Sequence, residues 1–184
     1  MPFIILDRDG VINYDSDEYI KSPEEWNPIP GSLNAIAQLN RAGFHVLIAT
    51  NQSGVARGLY DLEMLDLIHE KFVRELASVG GYVEEIFFCP HHPDEHCHCR
   101  KPQPGLLLRI QEKYPVKLQH TFFIGDSFVD VQAARAAGCM PLLVLTGKGQ
   151  QALEKYPELL HVPQFPDLAH AAQFVLSQQR VKDE

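Results

Sequence analysis

Phe3-Ile4-Ile5-Leu6-Asp7-Arg8-Asp9-Gly10 sets four apolar residues directly against two carboxylates spaced two apart. An uninterrupted apolar run of this length, closed by a turn signal, predicts a buried strand over residues 3–7. Apolar runs and helical patterns alternate along the rest of the chain. Ser32 is read as the N-cap of an amphipathic helix carrying Leu33, Ile36, Ala37 and Leu39, which Gly43 closes. Phe44 to Ala49 predicts a second strand ending at Thr50, and Asp61 caps a helix through about Ser78, broken by Gly80-Gly81. Further strands are expected over 83–88, 121–124 and 141–145. Further helices are expected over 105–113, 128–137, 150–156 and 167–179, ahead of a short flexible tail at about 178–184. Strand alternating with helix at this spacing implies an α/β fold: a doubly wound parallel sheet covered on both faces. Residues 1–184 form a single domain, with two long insertions at 8–31 and 89–104.

The 184 residues are 45% hydrophobic, and 16 basic residues against 24 acidic ones leave a formal charge of −8. An acidic surface of this kind disfavours nucleic acid as a partner, because phosphate backbones are held by clustered lysines and arginines. No apolar run is long enough to span a bilayer, and the first one is cut short by Asp7-Arg8-Asp9, unlike a secretory leader. The expectation is a cytoplasmic monomer that meets neither membrane nor nucleic acid. If it binds a phosphorylated metabolite, positive charge must be supplied locally.

In an open parallel sheet, ligands gather beyond the carboxyl ends of the strands. Collected there are Asp7-Arg8-Asp9-Gly10, then Thr50-Asn51-Gln52-Ser53-Gly54, then Arg100-Lys101-Pro102, then Gly125-Asp126-Ser127. An isolated Asp-x-Asp means little, since aspartate is common where strands turn into loops. The set together carries phosphoryl chemistry. Asp7 and Asp126 suit a hard cation such as Mg²⁺, and Lys101 with the Thr50 hydroxyl suits phosphoryl oxygens. Asp7 is the candidate nucleophile and Asp9 the candidate general acid and base. Asp130 has the position of an ordinary first-turn helix acid.

Three of four cysteines fall within eleven residues, Cys89-Pro-His-His-Pro-Asp-Glu-His-Cys-His-Cys99. In a reducing compartment this pattern predicts a metal site: three thiolates and one imidazole complete a closed, structural Zn²⁺ site. Composition leaves His91, His92, His96 and His98 open as the fourth ligand. Zinc would shape the loop and present Arg100 and Lys101. Cys139 is read as a small buried hydrophobe.

Asp7-Arg8-Asp9-Gly10, Thr50, Lys101 and Gly125-Asp126-Ser127 with Asp130, over about residues 3–150, resemble the four motifs of the haloacid-dehalogenase superfamily of phosphohydrolases. The resemblance implies a Rossmann-like sheet with a minimal cap, an Asp7 nucleophile and an Asp9 acid/base. It also implies Mg²⁺ on the Asp7 carboxylate, the Asp9 main-chain carbonyl and the Asp126 carboxylate. Cys89-Pro90-His91 with Cys97-x-Cys99-Arg100-Lys101-Pro102 is similar to the zinc loop of one branch, which contains the heptose 1,7-bisphosphate 7-phosphatases and the histidinol-phosphate phosphatases. That branch implies Cys89, His91, Cys97 and Cys99 as zinc ligands. Ser53, followed by Ala56-Arg57-Gly58, resembles the first activity, where histidinol phosphatases usually carry Asp. The implied reaction is removal of the 7-phosphate on the way to a nucleotide-activated heptose for lipopolysaccharide or surface glycans. The implied substrate contacts are Asp7, Arg8, Asp9, Asp15, Tyr19, Thr50, Asn51, Gln52, Ser53, Arg100 and Lys101, around a small phosphorylated sugar. The alternatives are a histidinol-phosphate phosphatase, a polynucleotide 3′-phosphatase and a non-catalytic zinc-loop interaction module.

Overall fold

The computed structural model describes residues 1–183, with side-chain surroundings described through Gln179. Six strands form one sheet: β1 (Phe3–Leu6), β2 (His45–Asn51), β3 (Glu85–Cys89), β4 (Phe122–Gly125), β5 (Met140–Val144) and β6 (Gln164–Phe165). Every pairing is parallel, in the order β3-β2-β1-β4-β5-β6. The helices are α1 (Ser32–Arg41), α2 (Leu62–Ser78), α3 (Gly105–Lys113), α4 (Phe128–Ala137), α5 (Gly149–Lys155) and α6 (Leu168–Asp183).

The period of two along β1 divides its side chains between two cores. Ile4 and Leu6 pack with Ile36 and Leu39 of α1, Ile68 and Phe72 of α2, and Ala171 and Val175 of α6. Phe3 and Ile5 pack with Leu106 and Ile110 of α3 and Ala133 and Ala134 of α4. Burial on both faces explains why the strand is apolar at every position, and each such side chain stabilises by about 1.5–3 kcal/mol.

From β1 the chain winds outward through β2 to β3, then returns to the other side of β1 for β4 and beyond. The reversal puts a crevice between the carboxyl ends of β1 and β4. The Asp7 N–H donates to the Ile124 carbonyl at 2.9 Å, which carries the ladder one residue past β1. Asp7 and Asp126 thus leave adjacent strands at the crevice.

The insertion at 8–31 lies against the first core: Val11, Ile12, Ile20 and Trp26 are buried in it. Trp26 rests on Phe72 with ring centroids 5.4 Å apart. Lys71 ties the insertion down by donating to the Pro23 and Trp26 carbonyls at 2.8 and 2.6 Å.

Local structure departs from the sequence reading at four places. Gly31, not Ser32, caps α1; Ser32 is the first helical residue, and its hydroxyl donates to the Ile12 carbonyl at 2.6 Å. That tertiary hydrogen bond outcompetes the cap. β2 runs on through Thr50 to Asn51, because β3 pairs with it as far as Cys89. β6 has only two residues and is held by β5, too short a run to register as a period. The tail expected at 178–184 continues α6 to Asp183, while Glu184 lies outside the described residues.

Candidate active site

A cavity of about 490 Å³ opens at the crevice between β1 and β4. Asp7, Asp9, Thr50, Lys101 and Asp126 line it, from four separate strand ends or the loops behind them.

Lys101 sits at its floor, 2% exposed, and its ammonium spends all three protons. It meets Asp7 Oδ1 at 3.0 Å and Asp130 Oδ1 at 2.7 Å, and donates to the Ala49 carbonyl at 2.9 Å. Burial opposes its charge, but Asp130 and then Asp7 more than offset this and hold it protonated. Asn51 fixes the Lys101 backbone from both sides, accepting from its N–H at 3.0 Å and donating to its carbonyl at 3.1 Å.

Asp130 is what holds this lysine in place. Its other oxygen accepts from the Asp126 and Ser127 amides, both at 3.1 Å, and from the Ser127 hydroxyl at 2.6 Å. Ser127 is the N-cap of α4, in a reciprocal capping box with Asp130. The sequence places this residue in the last motif but leaves its role open; in the fold it orients both Lys101 and the turn that presents Asp126.

Oxygens of Asp7, Asp126 and Asp130 all lie within 4.8 Å of one another. Burial first, then the neighbouring Asp130 charge, pushes the Asp7 carboxyl up to about 7. Burial, Asp130 and Asp7 push Asp126 well above the carboxylate range. Three buried acids beside one ammonium are short of positive charge, and oxygen donors suit a hard divalent cation. Asp130 already spends both oxygens on hydrogen bonds and its ion pair, so Asp7 and Asp126 are the side chains with oxygens to offer. Gly10 keeps this space open. It has φ +79°, and a Cβ there would collide with the Asp126 carboxylate.

Asp9 faces the cavity from a dense set of donors. Oδ1 accepts from Arg8 Nε at 3.0 Å, Arg8 Nη2 at 2.9 Å and Asn13 Nδ2 at 2.9 Å, while Oδ2 accepts from Gln52 Nε2 at 2.9 Å. Burial would raise this carboxyl, but the Arg8 charge and these hydrogen bonds prevail and hold it below its ordinary value. Gln52 is oriented in turn by the Tyr60 hydroxyl, which donates to its Oε1 at 2.6 Å.

The remaining expected contacts divide. Asp15, Tyr19, Asn51, Gln52, Ser53 and Arg100 line the cavity. Asp15 pairs with Lys148 at 3.5 Å, and the Arg57 guanidinium lies 5.6 Å from the Tyr19 ring centroid. Arg100 Nη1 is buried with no hydrogen-bond partner among the described residues. Arg8 is different: it is fully buried, does not line the cavity, and its side chain is turned inward. Its charge is committed to Asp9, which the short spacing of the motif does not reveal.

One wall of the cavity escapes the sequence reading altogether. Lys148, Gln151, Lys155 and Tyr156 line it from the segment after β5, and the Lys148 N–H donates to Asp126 Oδ2 at 2.9 Å. The signal is present in Thr146-Gly147-Lys148, another polar strand end.

Beyond β3, Cys89, His91, Cys97 and Cys99 converge, with their ligand atoms within 4.8 Å of one another. Sulfur separations are 3.0 Å for Cys89–Cys99 and 3.6 Å for Cys89–Cys97, and His91 Nδ1 lies 3.2 Å from Cys99 Sγ. Tetrahedral zinc with thiolates at about 2.3 Å puts its ligand atoms roughly 3.8 Å apart, so this donor set fits the ion. Among the histidines that composition leaves open, His91 is the one in the cluster.

A family profile described as HAD-hydrolase-like matches residues 98–171. A Pseudomonas putida protein named D-glycero-beta-D-manno-heptose-1,7-bisphosphate 7-phosphatase is 55% identical over 173 residues, covering 94% of this chain and 98% of the relative. A Bordetella bronchiseptica protein of the same name is 51% identical over 180 residues, covering 97% and 99%. The crystal structure of D,D-heptose 1,7-bisphosphate phosphatase from that organism, complexed with magnesium and phosphate, superposes with a TM-score of 0.94 at 50% identity, covering 97% of this chain and 99% of the other. The corresponding enzyme from Burkholderia thailandensis gives 0.75 at 40% identity, covering 96% and 99%.

Proposed function

The chain belongs to the D-glycero-beta-D-manno-heptose-1,7-bisphosphate 7-phosphatases of the HAD-like hydrolases, and from that membership we propose that it removes the 7-phosphate of this sugar bisphosphate through a phosphorylated Asp7. The protein is a Mg²⁺-dependent phosphatase acting on a small phosphorylated sugar. The observation that carries the mechanism is a buried Asp7 paired with Lys101, facing the same cavity as Asp9 and Asp126.

The Asp7 and Asp126 carboxylates and the Asp9 main-chain carbonyl hold Mg²⁺, which supplies positive charge opposite the phosphoryl oxygens. The Thr50 hydroxyl donates to a remaining oxygen, and the Lys101 ammonium, held by Asp7, Asp130 and the Ala49 carbonyl, supplies a fixed positive charge beside them. Asp7 attacks phosphorus as the bond to the sugar oxygen breaks, and Asp9 gives that oxygen its proton. Asp9 then takes a proton from water as the water attacks the aspartyl phosphate, releasing phosphate and restoring Asp7. The free site keeps Asp9 ionised; a phosphate dianion arriving beside it raises its proton affinity, which prepares the acid form.

The second phosphate meets Arg100, whose unpartnered Nη1 is a donor waiting for an anion. Asp15, Tyr19, Asn51 and Ser53 line the space for the sugar. The product, a heptose 1-phosphate, is the form a nucleotidyltransferase activates, in keeping with a role in ADP- or GDP-heptose formation. We place the enzyme in the cytoplasm as a monomer; no described helix is long and apolar enough to cross a membrane.

Phosphate release from the beta-configured heptose bisphosphate should exceed that from histidinol phosphate by at least about 30-fold in kcat/KM, the worth of one charge-assisted contact to a second anion. Equal or faster turnover of histidinol phosphate overturns the substrate assignment.

Cys89, His91, Cys97 and Cys99 hold one structural Zn²⁺ per chain. Metal analysis should find it, and its removal by a chelator should speed amide exchange through 89–104 and lower Tm. Because Lys101 lies in this loop, directly after the zinc ligands, activity should fall with it even when Mg²⁺ is restored. A metal-free chain with unchanged exchange in the loop would eliminate the site.

A further inference from the structure

Beneath Asp9 lies a buried pair that the reaction as described does not use. Arg8 is fully buried, and its guanidinium points from β1 toward α2. Its Nη1 lies 3.0 Å from Nε2 of His69, a residue 61 positions along the chain on α2 and 8% exposed. The other edge of the guanidinium forks onto Asp9, Nε at 3.0 Å and Nη2 at 2.9 Å from Oδ1, with Nη2 also 3.3 Å from Oδ2. Asp9 is the one carboxylate Arg8 pairs with among the described residues.

We infer that His69 is a positioning residue for the acid/base Asp9, acting through Arg8. The inference rests on the acid/base role proposed for Asp9.

Arginine has only donors, so an imidazole nitrogen facing Nη1 must offer a lone pair. Burial, followed by the Arg8 charge, brings the imidazole down to about 3, so it stays neutral and able to accept. His69 packs against Phe88 of β3, centroids 6.1 Å apart, which leaves the ring little freedom to turn. With one edge docked on His69, the guanidinium has a single orientation, and its fork then sets where the Asp9 carboxylate points. Gln52 and Asn13 finish the constraint from other sides. Without the His69 acceptor, Nη1 is a buried donor with nothing to meet. The guanidinium then swings to find a partner and Asp9 follows it. Acid catalysis depends on such placement to within a fraction of an ångström.

The test uses full-length protein with Mg²⁺ and two substrates. The heptose bisphosphate expels a sugar alkoxide oxygen that needs the proton of Asp9, whereas 2,4-dinitrophenyl phosphate expels a stable phenolate that does not. Because kcat/KM reports steps up to loss of the leaving group, His69→Leu should lose about 10- to 100-fold on the sugar, part of the 10²–10⁴ that acid–base catalysis supplies, and under about 3-fold on the aryl phosphate. The sugar loss should fall on kcat with KM little changed. His69→Gln, whose amide oxygen replaces the Nε2 lone pair, should recover to within about 5-fold of the parent. Should the leucine variant fail to fold, His69→Asn, whose amide stops short of Arg8, is read by the same substrate ratio. Equal losses on both substrates, or a glutamine variant no better than leucine, overturns the inference. Asp9→Asn run alongside separates the two levels. If it is selective for the sugar while His69→Leu is not, only the His69 assignment falls; if it shows no selectivity, the acid role of Asp9 falls and the inference with it.

Discussion

Asp7→Asn will leave a folded protein with turnover at least about 10⁴-fold below the parent, the scale on which loss of a nucleophile is felt when the rest of a site survives. An amide keeps the shape of the carboxylate but does not attack phosphorus. Stability should move the other way. The Asp7 carboxyl is raised from 3.8 to about 7, so the native state binds this proton more tightly than the unfolded chain. The stabilisation this gives is complete below about 3.8 and is lost as pH climbs through about 7. In metal-free protein at pH 8 the Asp7 charge is therefore a burden, and asparagine removes it. Tm of the variant should equal or exceed that of the parent at pH 8, with the advantage shrinking toward pH 5. Phosphate release and thermal unfolding across that range decide the matter. Near-parental activity would eliminate Asp7 as nucleophile.

Lys101→Met should be costly on both counts. The ammonium is the one side-chain cation paired with Asp7 and Asp130 among the described residues, and it also ties both to β2 through the Ala49 carbonyl. Removing it leaves two carboxylates, each almost fully buried, without their partner. Breaking a buried ion pair from one side costs about 3–5 kcal/mol. Urea unfolding at pH 8 should report a loss of that order with an unchanged m value, and acid should relieve it in part as Asp7 protonates. Activity should fall by at least about 100-fold even with saturating Mg²⁺, because a positive charge aimed at the developing phosphoryl charge is gone. A variant within about 1 kcal/mol of the parent would contradict the pairing that organises the floor of the site.

These two residues also mark how far the linear chain can be read. The apolar run ending at Asp7 reveals a buried strand because burial on both faces leaves no polar position in it. Helices α3 and α4 are legible to the residue at both ends from spacing and punctuation. Asp7, Asp9, Thr50, Lys101 and Asp126 are recognisable because each stands at or after a strand end, and the structure gathers all five on one cavity. Asp130 is present in the same motif but looks like an ordinary first-turn acid. Its task depends on Lys101, 29 residues earlier, arriving within 2.7 Å, and no local pattern encodes that. Arg8 is among the substrate contacts that the family resemblance implies, yet its side chain turns inward to His69.

Local patterning, then, is enough to specify the elements, the parallel sheet and the chemical types at the strand ends, since propensity, capping and burial act over a few residues. Strand order, the meeting of Asp7 with Asp126, the inward turn of Arg8 and the wall supplied by α5 are decided only when the chain closes on itself. They rest on hydrogen-bond ladders and side-chain directions between residues far apart in the chain, which compete for partners only in the assembled fold.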